Sequence, residues 1–132
     1  MTKRRVSSPH VLEPPPQTFS RCLVVGDQVF IAGITAAGPD GIAGGDSMEG
    51  QARAVYTRIK HLMEAAGGTM DDIVRLLTFV TDISRRDEIL RVRREFFSGD
   101  YPTSTLVEVS GLVLPGLLIE VEAQAILGAG RR

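Results

Sequence analysis

Two glutamates, Glu120 and Glu122, stand two residues apart in a stretch whose polarity alternates sharply: Ile119, Val121, Ala123 and Ala125 against Glu120, Glu122 and Gln124. Successive side chains of a strand point to opposite faces, so both carboxylates project from one face of a sheet. There they can serve a water-dependent reaction as a base and its neighbour, or simply form a hydrated or intersubunit-paired strand face. Ser104 and Thr105 form a second polar pair able to bind a ligand oxygen. Neither sits in a nucleophile-elbow motif, and His10 and His61 have no triad context. Cys22 lies in an apolar run and reads as a small buried strand residue. One cysteine and two histidines cannot build an ordinary structural zinc site, so no metal and no cofactor are expected. Arg85, Arg86, Arg91, Arg93 and Arg94 crowd one segment, but Asp87, Glu88 and Glu95 dilute them and no row of aromatic stacking positions accompanies them. An ion-paired, solvated helix face is therefore expected, and nucleic acid is not an expected partner. The glycine-rich stretch 38–45 has neither GxGxxG nor a Walker lysine in register, which argues against a phosphate cradle.

These residues need elements to hold them. The 132 residues suit one domain, and 15 Lys+Arg against 16 Asp+Glu give no global pull towards nucleic acid or a membrane. No apolar run approaches the roughly 20 residues needed to span a bilayer, and residues 7–17 contain four prolines rather than a signal-peptide core. A soluble protein of the reducing cytoplasm is expected. Residues 1–16, ending in Pro14-Pro15-Pro16, are read as an extended arm, residues 17–128 as the folded domain, and 129–132 as a frayed end. Cys22-Leu23-Val24-Val25 and Val29-Phe30-Ile31-Ala32, separated by Gly26-Asp27-Gln28, read as a hairpin.

Asp46 with Glu49 resembles a capping box, Gly67-Gly68 supplies a stop, and Ala52, Val55, Ile59, Leu62, Met63 and Ala66 between them form one apolar stripe. Ile73 to Thr81 reads as a strand buried on much of both faces. Ser84 and Asp87 can open a second helix to Phe97, and two strands, 104–109 and 118–126, close the chain. The order ββαβαββ predicts an α+β domain, a mixed sheet with two helices packed on one face. The bare face, and the 43% hydrophobic content of so short a chain, point to association with further copies, for which a closed ring is the usual solution.

That order and several phrases within it resemble the Rid family, also called the YjgF family, over residues 17–127. The phrases are Val29-Phe30-Ile31-Ala32-Gly33, Gln51-Ala52-Arg53, Glu64-Ala65-Ala66-Gly67, Asp72-Ile73-Val74-Arg75, Phe79-Val80-Thr81-Asp82, Tyr101-Pro102, Val107-Glu108-Val109 and Ile119-Glu120-Val121-Glu122-Ala123. The resemblance implies a chorismate-mutase-like fold, a homotrimer, and small-molecule sites between subunits. Deaminases of the family hydrolyse enamines and imines to a keto acid and ammonia. It further implies that Glu120 holds or polarises the attacking water, with Phe19, Arg21, Gly33, Ser104 and Thr105 lining the substrate.

Ser104, in Tyr101-Pro102-Thr103-Ser104, stands where those deaminases carry the arginine that grips the substrate carboxylate. A neutral hydroxyl cannot replace a charged guanidinium fork, which counts against deamination of 2-imino acids. The family's Tyr-Ser-Gln reads Phe19-Ser20-Arg21 here, so a hydroxyl is lost and a cation appears. The expected function is a hydrolase or deaminase-type enzyme acting on an imine, enamine or related carbonyl compound. The alternatives are a ligand-binding trimer without turnover and an endoribonuclease-type protein.

Overall fold

The computed structural model describes residues 1–131. Its main sheet has six strands in the order β1-β2-β3-β8-β6-β7. These are β1 (Lys3–Arg5), β2 (Cys22–Val25), β3 (Gln28–Ile34), β6 (Ile73–Val80), β7 (Thr103–Glu108) and β8 (Ile119–Ile126). β4 (Ala37–Gly38) and β5 (Gly41–Ile42) form a separate small hairpin inside the stretch expected to be a loop, and Gly41 makes its turn possible with φ +109°. All pairings in the main sheet are antiparallel except β6 with β7. That one parallel pair is joined by a crossover through α2 (Arg86–Arg93), as parallel pairing requires.

α1 (Met48–Ala65) buries the stripe read from the sequence: Ala52, Val55, Ile59, Leu62 and Met63 are inaccessible and Ala66 nearly so. Its N-cap is Ser47, one residue after the expected Asp46, and the Ser47 side chain accepts from the Gly50 N–H at 2.9 Å. A hydroxyl makes the same bond as a carboxylate here, so the cap motif alone did not separate the neighbours. Both helices pack on one face of the sheet, giving the α+β architecture expected, with β2-β3-α1-β6-α2-β7-β8 as its ββαβαββ frame.

β6 departs from expectation. Leu76, Thr78 and Val80 are buried beneath the helices, whereas Leu77 and Phe79 are only partly covered, because no helix lies on the outer face. Phe30 and Val107 are exposed on that same face. The second helix is also shorter than expected: a 3-10 turn at Ile83–Arg85, begun by the Asp82 carboxylate accepting from the Ser84 N–H, precedes α2.

The arm is not a free extension. Lys3–Arg5 adds an edge strand against β2, Val6 and Val11 enter the core, and Arg5 donates to Glu13 at 2.9 Å. Two apolar side chains and a vacant strand edge are enough to draw a proline-rich segment onto the body. The carboxy-terminal end is likewise tied down through residue 131. The Gly130 N–H donates to Asp72 Oδ1 at 2.8 Å and the Arg131 N–H to the Gly128 carbonyl at 3.1 Å; Arg132 lies outside the described residues.

Candidate functional site

Glu120 projects from the outer face of central strand β8, between Ile119 and Val121, which are fully buried on the other side. Neighbouring β3 has a register irregularity between Ile31 and Ile34, and Gly33 sits within it. The Glu120 side chain occupies the space a residue-33 side chain would fill: a Cβ there would lie 2.8 Å from Glu120 Cδ and 3.1 Å from Cγ. Glycine here leaves open the space that the Glu120 side chain takes, and no backbone angle calls for it.

Arg21, just before β2, joins them. Its carbonyl accepts from the Ala32 N–H, which holds the residue beside β3. Its guanidinium donates to the Leu12 carbonyl at 3.2 Å, makes a longer contact of 3.5 Å to the Gly33 carbonyl, and lies 5.2 Å from the centre of the Phe19 ring. Arg58 arrives from α1 and donates to the carbonyls of Thr35 and Ala37 at 2.6 and 2.7 Å. The arm residues Pro9 to Pro15 close the far wall, and the cleft so formed has a volume of about 880 Å³.

Burial pushes the Glu120 carboxyl above the usual glutamate range and Glu122 adds to this, while Arg21 opposes both. Desolvation also lowers Arg21, against Glu13 and Glu120; Arg58 is lowered by desolvation and then by Arg21. A carboxylate made more basic, with two desolvated guanidiniums on the same cleft, can activate water and receive an anionic group. Among the described residues no three His, Cys, Asp or Glu side chains converge as a metal site.

Phe19, Arg21, Gly33 and Glu120 therefore meet in one cleft, while Ser104 and Thr105 do not line it. Ser104 pairs with inward-facing Leu76 and points to the helix layer, the opposite side of the sheet from Glu120. Thr105 shares the outer face, through Leu77, with Glu122 rather than with the cleft.

Sequence reasoning missed Arg58 and the arm, whose places depend on long-range packing. It also misplaced Arg93 on a solvated face: Arg93 is 7% exposed and donates to Tyr56 Oη at 2.9 Å, Ser104 Oγ at 2.9 Å and Thr78 Oγ1 at 3.3 Å. The spacing Ile89, Val92, Arg93 was the available signal, since four residues return a helix to the same face. Elsewhere the basic helix is ion-paired, Arg85 with Glu88 and Arg91 near Glu49. Cys22 is fully buried and its thiol is pushed up to about 11 by burial.

Comparison with known proteins matches residues 12–127 to a family model described as endoribonuclease L-PSP. A RutC family protein of Pyrococcus abyssi is 33% identical over 109 residues, 81% of this chain and 84% of that protein. A Pseudomonas aeruginosa protein of unknown function superposes with a TM-score of 0.86 at 37% identity, over 96% of this chain and 94% of the other. A Mycobacterium tuberculosis member of the YjgF/YER057c/UK114 family does so with a TM-score of 0.79 at 34% identity, over 96% and 100%.

Proposed function

Because the chain belongs to the endoribonuclease L-PSP family, the YjgF or Rid family of the sequence resemblance, we propose that it is a hydrolase of small anionic imines or enamines. The observation that carries this reading is the convergence of Glu120, Gly33 and Arg21 in one cleft, with the carboxylate raised by burial. Glu120 takes a proton from water as its oxygen bonds to the imine carbon and the C=N electron pair moves to nitrogen. Protonated Glu120 passes that proton to the nitrogen, giving the carbinolamine; transfer of the carbinolamine hydroxyl proton to the amino group by way of Glu120 lets C=O form as ammonia leaves, so that R₂C=NH and H₂O become R₂C=O and NH₃ and the carboxylate is restored. Arg21, with Phe19 beneath it, holds the anionic group from the residue just before β2, a different place from the family's arginine.

The bare outer face, with Phe30, Leu77, Phe79 and Val107, is the surface by which the chain assembles as a homotrimer, and the clefts then lie beside subunit boundaries. Sedimentation equilibrium checks the assembly: a monomer at micromolar concentration would exclude it. Ser104 in place of the family's arginine favours one second reading, ligand binding in the same cleft without turnover.

Generating 2-iminobutanoate in situ and following ammonia release separates the two readings. Wild type should exceed the buffer rate, Glu120→Gln should lose about a hundredfold or more, and Arg21→Ala should chiefly raise KM. A wild-type rate equal to buffer leaves binding without turnover.

A further inference from the structure

The cleft carries one cation more than the imine chemistry uses. We infer that Arg58 binds a second carboxylate of the substrate, so that the cleft takes imines or enamines of dicarboxylic oxo acids in preference to monocarboxylic ones. This rests on the reading of the Arg21–Glu120 cleft as a site for small anionic imines, and it names their class. Arg58 enters from α1, and its Nη1 group is engaged by the Thr35 and Ala37 carbonyls at 2.6 and 2.7 Å. Among the described residues its Nε–H and Nη2–H groups meet no acceptor, and no buried side-chain nitrogen lacks a partner, so that edge is open to solvent. Gly38 lines the cleft beside it, and a Cβ there would lie 3.3 Å from Nη2, which sets Nη2 on the cleft side. Two parallel N–H groups in one plane are what a carboxylate takes in a bidentate pair.

Charge points the same way. Among the described residues no carboxylate lies within ion-pairing distance of Arg58. Desolvation and the repulsion of Arg21 both act against its charge, and no acid offsets them. Arg21 differs, since Glu13 and Glu120 both favour its charged form. Glu13 is itself paired with Arg5 at 2.9 Å, and Glu120 is committed to water, so neither neutralises Arg58. A partly desolvated cation without a counter-charge is unfavourable, and an anion of matching geometry relieves it. The two cations are also held apart. Arg21 reaches the Gly33 carbonyl and Arg58 that of Thr35, two residues further on, which is roughly 7 Å in extended backbone. Anchors so spaced suit the two ends of a short diacid better than the single carboxylate of a monoacid.

The test is calorimetric titration of the full chain with two stable oxo acids, 2-oxoglutarate and 2-oxopentanoate, which share a carbon skeleton and differ by one carboxylate. At constant ionic strength wild type should bind 2-oxoglutarate about tenfold or more tightly. Arg58→Gln should lose that preference while binding 2-oxopentanoate as wild type does; a purely structural clamp on the Thr35 and Ala37 carbonyls would weaken both acids alike. Arg58→Lys keeps the charge and a donor for those carbonyls but not the planar edge, and should retain only part of the preference. Arg53→Gln removes the same charge outside the cleft and should retain all of it. Equal binding of the two acids by wild type, or no binding of either, overturns the inference. So does a preference that survives Arg58→Gln or disappears in Arg53→Gln; should Arg58→Gln not fold, an undiminished preference in Arg58→Lys does the same. The hydrolase reading fails separately: wild type that prefers 2-oxoglutarate yet releases no ammonia from imines keeps the diacid site without turnover, whereas hydrolysis of 2-iminobutanoate with equal binding of both acids keeps the hydrolase without the diacid class.

Discussion

Gly33→Ala places a methyl group in the space held by the Glu120 side chain, 2.8 Å from its Cδ and 3.1 Å from its Cγ. Such contacts cannot persist. The obstacle is the end of a flexible side chain rather than backbone, so Glu120 can rotate away, at about 0.5–1.5 kcal/mol for a strained rotamer. Stability should consequently fall by no more than about that amount, a Tm loss of a few degrees for a domain of this size. Activity should suffer far more. General-base catalysis contributes about 10²- to 10⁴-fold, and a base moved by an ångström or more from its water forfeits most of it. Imine hydrolysis in Gly33→Ala should thus approach that of Glu120→Gln, although the carboxylate is still present. Thermal unfolding and ammonia release on the same preparations test both halves. Near-wild-type turnover with Glu120 seen displaced in a crystal structure would refute Glu120 as the base; a large loss of Tm would show that the carboxylate is locked rather than free to swing.

Gln51 is fully buried, donates to the Gly45 and Gly116 carbonyls at 2.7 and 2.9 Å, and accepts from the Leu118 N–H at 2.9 Å. Gln51→Leu should therefore cost about 3 kcal/mol or more in urea unfolding, because three backbone groups lose their partner at once. The pH profile of hydrolysis should fall on the acid side at a midpoint above the usual glutamate range, since only ionised Glu120 accepts a proton; Arg21→Ala, which removes the opposing charge, should move that limb to still higher pH. Cys22, buried and raised to about 11, should resist thiol reagents at pH 8 in the native protein and react only on unfolding; rapid native labelling would reveal local opening of β2.

The α1 stripe, the alternation that aims Glu120 and Glu122 to one face, and the ββαβαββ order were legible in the amino-acid sequence, because burial of one face imposes a local period of 3.6 or 2 residues. The register phrases that carried the family resemblance are equally local. Convergence was legible only through the family resemblance, which set Phe19, Arg21, Gly33 and Glu120 around one substrate together with Ser104 and Thr105; no local period expresses it. Arg21, Gly33, Arg58 and Glu120 share a cleft only because α1 crosses β3 and β8, while the arm docks by burying Val6 and Val11. The fates of the two arginines were decided the same way: Arg21 reaches the Glu120 carboxylate's cleft, whereas Arg93 turns inward to Tyr56 and Ser104. A charged residue on a helix reads as solvated until packing supplies hydroxyls at the tip of its side chain. That supply comes from residues 11 to 37 positions away along the chain, a separation no periodicity encodes.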